Sequence, residues 1–157
     1  MCYTAAVHKS FYASGFLYST KLHKILLLKS QKKDSSDFIW STIGGAGDGG
    51  EEPQAAFARI INEQLGLNLK AKNIYPIYDY LIDAKDKMNY VFYTEVKSSK
   101  EFSSLEGIFE WVSFHEISKL SFVPHCKQDV IVGERVVNAK WRDDEAKKLP
   151  PFSETSL

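Results

Sequence analysis

The sequence predicts an α/β (α+β) sandwich, a mixed sheet covered by helices, and three observations carry that expectation. Segments rich in aromatic and branched or long aliphatic residues lie on both sides of one well-punctuated amphipathic stretch, Pro53 to Leu65. A second amphipathic stretch begins at Cys126. The 157 residues are 44% hydrophobic and 25% charged, enough for one domain to bury a core without disulfide or metal support. We therefore expect a single domain over residues 1–148 and a mobile tail over 149–157.

In chain order, FYASGFLYS and HKILLLK read as two strands separated by a polar turn around Ser19 to Lys21. Gln31 to Asp37 is a charged loop, and Phe38 to Ile43 is a short third strand that runs into a glycine loop, Gly44 to Gly50. Pro53 suits the first helical turn because its missing N–H would be unpaired there, and Gly66 suits the left-handed position just past the end. Phe57, Ile61 and Leu65 recur every four residues and would pack on a sheet. That leaves Ile60, Glu63 and Gln64 on another face, with Arg59 at its edge. Ile74 to Ile82 and Tyr90 to Val96 form a hairpin signal around the polar turn DAKDK, and Phe109 to Ser113 reads as a further strand. Cys126, Val130, Val137 and Trp141 share one face of a C-terminal helix that Pro150 and Pro151 end.

Lys+Arg (20) and Asp+Glu (20) cancel, so no global field draws the chain to nucleic acid or an anionic membrane. The longest aliphatic run, Ile25 to Leu28, is far short of the roughly 20 residues that span a bilayer. The start lacks a basic region followed by an apolar one, and Cys2 and Cys126 lack metal-ligand spacing. A reduced, cytoplasmic protein is the expectation. His8, His23, His115 and His125 show no triad-like or metal-like spacing.

A glycine loop feeding a helix gathers free backbone N–H groups and the positive end of the helix dipole, which favours phosphate. Gly45, five residues, Glu51, seven residues, Arg59, then Glu63 and Gly66-Leu67 resembles the Nudix box, G-x5-E-x7-R-E-U-x-E-E-x-G-U, where U is a bulky aliphatic residue. The sequence matches it at Gly45, Glu51, Arg59, Ile61, Glu63, Gly66 and Leu67 and departs from it at Ile60 and Gln64, where the box has Glu. Trp40 before Gly44-Gly45 resembles the family's Trp-x-x-Pro-Gly-Gly, with Ile43 in place of the proline, and GIFEWVSFHEISKL resembles its late strand and short helix.

The resemblance implies a Nudix-like α/β/α sandwich and a pyrophosphohydrolase that cleaves a nucleoside diphosphate linked to another moiety. It also implies Mg²⁺ or Mn²⁺, with water attacking a metal-polarised phosphorus. Residue by residue, it makes Glu63 the metal carboxylate and catalytic group, Gln64 a neutral oxygen donor, and Glu51 a loop-shaping residue that reaches the metal. Arg59 bridges the carboxylates, Gly44 and Gly45 meet the substrate, and Glu106 supplies a catalytic carboxylate from a later loop; Glu95, Glu110 and Glu116 are its rivals for that role. With two box carboxylates missing, the expected hydrolysis is slow. The alternative is a catalytically weakened domain that binds a nucleotide or nucleotide sugar as a sensor or regulatory module. The partner expected is a nucleoside diphosphate derivative, with no nucleic acid or membrane and with a homodimer as the assembly. Of the aromatics Tyr75, Tyr78, Tyr80, Tyr90, Phe92 and Tyr93, most belong to sheet and core, with one or two left to stack on a base.

Overall fold

Alternation along β1 (Phe11–Ser19) sets the layers: Phe11, Ala13 and Leu17 face one side of the sheet, and Phe16 and Tyr18 the other. A computed structural model describes residues 10–82, 86–98, 100–104 and 107–150. The strands that follow are β2 (Lys24–Gln31), β3 (Phe38–Ser41) and β4 (Ile43–Gly47); after helix α1 (Pro53–Leu65) come β5 (Ile74–Ile82), β6 (Lys87–Val96), β7 (Phe102–Ser104) and β8 (Gly107–Val112). Helix α2 (Cys126–Lys148) closes the described chain.

The sheet runs β5-β6-β1-β2-β8-β7, with β3 beside β2 and β4 beside β1. Only the β1–β6 ladder among the described pairs is parallel, so the sheet is mixed as expected. β1 changes partner along one edge: Phe11 to Gly15 pair with β4, and Leu17 to Ser19 with β2. Gly15 permits the close β1–β6 approach, because its φ is +154° and a Cβ there would lie 1.7 Å from the Phe92 carbonyl oxygen.

Helix α1 covers one face, where Phe57, Ile61 and Leu65 meet Phe11, Leu26, Ile43 and Phe92. Each such side chain, fully buried, contributes about 1.5–3 kcal/mol. Pro53 begins α1 and Gly66, at φ +67°, ends it, its N–H bonding Asn62 O at 2.9 Å. The Asn62 amide then holds Leu69 through both its oxygen (2.8 Å) and its nitrogen (3.1 Å), which turns the chain back towards the sheet. On the other face, α2 and a short 3-10 turn over Phe114–Lys119 cover Phe16, Ile25, Leu27, Trp40 and Tyr93.

Several sequence expectations need correction. Gly44 to Gly47 lie in β4, paired with β1, so the loop before α1 is only residues 48–52. Ile60 is 4% exposed and belongs to the core. The buried positions of α2 are Asp129, Val130, Gly133 and Val137, whereas Trp141 is 53% exposed. The end of α2 at Lys148, just short of Pro150, is where the prolines place it. The late strand pairs with a short β7 that the sequence did not suggest. Residues 83–85 of the DAKDK turn and 151–157 of the expected tail lie outside the described residues, as do Cys2 and His8. No described helix is long and apolar enough to cross a membrane.

Candidate functional site

The stretch from β4 to α1 is held by one guanidinium. Arg59 donates from Nε to Glu51 Oε2 at 2.9 Å and from Nη2 to Glu51 Oε1 at 3.0 Å, a bidentate fork. Its Nη2 also reaches Ala46 O at 3.1 Å, and Nη1 lies 3.5 Å from Glu63 Oε2. The turn closes on itself: Glu51 N–H bonds Asp48 O, and Asp48 N–H bonds Glu51 Oε1, both at 2.9 Å. The Arg59 hydrogen bonds, followed by that of the Asp48 N–H, hold the Glu51 carboxyl below its ordinary range.

The spacing motif therefore brings Gly44, Gly45, Glu51, Arg59, Glu63 and Gln64 together. Gln64 Nε2 donates to Gly44 O at 3.3 Å, placing the helix beside the β4 edge. Gly45 faces Ile60, whose Cδ1 would lie 3.4 Å from a Cβ at that position. The Glu63 side chain is 64% exposed. Glu106 lies outside the described residues. Its rivals have other partners: Glu95 pairs with Lys140 at 2.8 Å, Glu110 lies 4.0 Å from Lys29, and Glu116 accepts from the Ser113 hydroxyl at 2.9 Å.

The implied divalent ion can be tested against this donor set. Both Glu51 oxygens are committed to Arg59, Ile60 is apolar and buried, and Glu63 alone on α1 presents an available carboxylate beside the neutral Gln64 amide. Among the described residues, no three His, Cys, Asp or Glu side chains converge as metal ligands. A resident Mg²⁺, which wants near-octahedral oxygen, does not fit these donors.

Across the sheet from α1, a cavity of about 440 Å³ opens at the same β4 edge. Its wall carries Tyr12 and Ser14 of β1, Gly44 and Gly45 of β4, Tyr80 of β5 and Asn89 of β6. The start of α2 closes it with His125, Cys126 and Asp129. One hydrogen-bond chain lines this wall. Ser14 Oγ donates to Asn89 Oδ1 (3.0 Å), Asn89 Nδ2 to Tyr80 Oη (2.9 Å), Tyr80 Oη to Asp129 Oδ2 (3.2 Å), and Tyr78 Oη to Asp129 Oδ1 (2.6 Å).

Asp129 is 1% exposed, and burial raises its pKa against the two tyrosine hydrogen bonds and nearby His125. Burial, with the Asp129 charge behind it, pushes Tyr80 up to about 12 against the Asn89 hydrogen bond. Burial likewise pushes the Cys126 thiol up, away from the reactive range. His125 sits in the left-handed region at φ 73° and sets its ring 5.4 Å from that of Tyr80. Sequence reasoning missed Ser14, Asn89 and Asp129. The available signal was Asp129 itself, a carboxylate four residues before Gly133 and eight before Val137 on the buried stripe of α2.

The sequence model of the NUDIX domain matches residues 10–131, from just before β1 into α2. No curated protein is similar enough in sequence to count as a relative. Among solved structures, a MutT/nudix family protein from Enterococcus faecalis superposes with a TM-score of 0.63 at 14% identity, over 82% of this chain and 62% of that one, so this chain spans less than two thirds of it. The dihydroneopterin triphosphate pyrophosphohydrolase of E. coli gives 0.58 at 15% identity, over 76% of this chain and 91% of that one. The NUDIX domain of Shewanella oneidensis NrtR, complexed with ADP ribose, gives 0.59 at 12% identity, over 82% and 86% respectively. At these identities the structural likeness is one of fold. With the domain match covering most of its length, the chain belongs to the NUDIX domain family and has the fold of Nudix-type pyrophosphohydrolases.

Proposed function

We propose that this chain takes a nucleoside diphosphate linked to another moiety, and that binding is a stronger property of the site than turnover. The carrying observation is the double role of Gly44 and Gly45: they line the cavity and also meet Gln64 and Ile60 of α1. A ligand with its nucleoside in the cavity would pass its diphosphate over the β4 edge, where Cβ atoms are absent and backbone is accessible. Nudix hydrolases generally use divalent metal ions, but the α1 donors here do not fit a resident one, and no step is routed through it. What this chain's residues supply is a shaped pocket, an exposed edge and the rigid Glu51–Arg59 clip. A sensor or regulatory module needs no more than these.

Slow hydrolysis is the second reading, favoured by the exposed carboxylate of Glu63 beside the β4 edge. Thermal unfolding with ADP-ribose and a nucleotide sugar, each with Mg²⁺, with Mn²⁺ and with chelator, tests both readings. At a hundredfold excess over Kd, binding adds about 2.7 kcal/mol, a shift of several degrees in Tm. We expect that shift in chelator as well as with metal, together with cleavage well below about 1 s⁻¹. No shift with any ligand would refute the binding site. Cleavage at ordinary enzyme rates, abolished in Glu106→Gln and Glu63→Gln, would make hydrolysis the primary function.

A further inference from the structure

We infer that the outer face of α2 is a self-association surface, on which a second copy of this chain lays its own α2 antiparallel; this does not rest on the ligand site proposed above. The sheet leaves much of α2 uncovered. All of its buried residues fall between Asp129 and Val137, in a helix that runs to Lys148. Beside that buried strip, Lys127, Ile131, Glu134, Asn138, Trp141 and Glu145 recur at alternating four- and three-residue steps, the spacing that aligns side chains along one helix face for a partner helix. Both large apolar residues of this stripe are open to water, Ile131 at 44% and Trp141 at 53% exposure. Next to the stripe lie two adjoining hollows of about 600 and 240 Å³, which share Phe114 and His115 of the 3-10 turn and Glu134 of α2.

Charge order along the stripe selects the occupant. With a two-fold axis level with Val136, the two helices set Lys127 opposite Glu145 of the second copy, Ile131 opposite Trp141, and Glu134 opposite Asn138. Every contact then occurs twice, as an isologous interface requires. The ion pairs that α2 makes among the described residues use Lys140, Asp144, Glu145 and Lys148, which leaves Lys127 without one. Glu145 meets Lys148 at 3.0 Å but its side chain is still 45% exposed, so it can take a second cation. The like charges that this register brings level, Arg135 of each copy, lie on exposed side chains at the rim, where water screens them. A parallel arrangement in register would instead set Lys127 against Lys127 and Glu145 against Glu145.

Sedimentation velocity of the full chain, from roughly 5 to 500 µM to suit a small interface, tests the inference. We expect a concentration-dependent dimer that Trp141→Ala and Ile131→Gln each weaken by about tenfold or more, since each removes a contact made twice. Lys127→Glu alone and Glu145→Lys alone should each weaken it by about tenfold, and the two together should recover wild-type association to within about threefold. The four substituted side chains lie at the surface of the single chain, and an unchanged helical signal in circular dichroism confirms that each variant is folded. A wild type that stays monomeric throughout overturns the inference. So does a dimer indifferent to Trp141→Ala, and so does a double charge exchange that fails to recover.

Discussion

A carboxylate at position 60 would have to sit between Gly45 and the apolar core. Ile60 is 4% exposed there, so Ile60→Glu should cost several kcal/mol in urea unfolding even though it restores a residue of the box. Gln64→Glu, at the exposed β4 edge, should cost no more than about 1 kcal/mol, the scale of its single hydrogen bond to Gly44 O. Arg59 is the stronger test of the clip. Its loss in Arg59→Ala unpairs a half-buried Glu51 and frees the turn, for about 1–2 kcal/mol, and Arg59→Lys should recover little because an ammonium cannot reproduce the fork. Gly45, Glu51, Arg59 and Glu63 were legible in the sequence because strand, turn and helix are contiguous, so their spacing is a local fact. The cavity was not legible, because its polar chain joins residues 75 and 49 positions apart on four different elements. No local period connects Ser14 to Asn89 or Tyr80 to Asp129.

Helix α1 was legible from its own ends: a proline at the start, a glycine at the close and a four-residue apolar repeat. β4 was not, because four of its five residues are glycine or alanine, which carry little strand signal. Its backbone still pairs with β1 over Phe11 to Gly15, a decision made by the partner rather than by its own side chains. On α2 the apolar stripe was read one position too wide, since Trp141 is exposed while its neighbour Lys140 still reaches Glu95 of β6 and the Tyr75 ring of β5. The contact that decides its packing is Gly133, where a Cβ would meet the buried Phe16 ring at 2.7 Å. Gly133→Ala sets a helix-propensity gain of about 1 kcal/mol against overpacking of about 1–3 kcal/mol. The clash involves a ring with no free space to turn into, so net destabilisation is expected, read as a lower Tm with unchanged helical signal at low temperature.

For the whole molecule, two carboxyls pull the pH profile of stability in opposite directions. Glu51 is held below its ordinary range, so its contribution is present above the unfolded pKa and is lost as pH falls through the folded value. Asp129 is raised, so the folded state holds its proton more tightly, and ionisation weakens the fold as pH rises through that raised value. Glu51→Gln should therefore flatten the acid limb, and the stability of Asp129→Asn relative to wild type should improve as pH rises above the ordinary carboxylate range. Urea midpoints across that range, at fixed salt, measure both. The parallel β1–β6 ladder has a consequence of a different kind, in time rather than in energy. Residues 12–19 pair with 89–96, so the first strand of the described chain is synthesised long before its central neighbour exists. Until β6 emerges, β1 has only β2 and β4 beside it, and its other edge is open to any extended segment that passes. Closing so long a loop makes this pairing a late and slow event in folding, and the same chain refolded from urea at high concentration should lose yield to aggregation at that step.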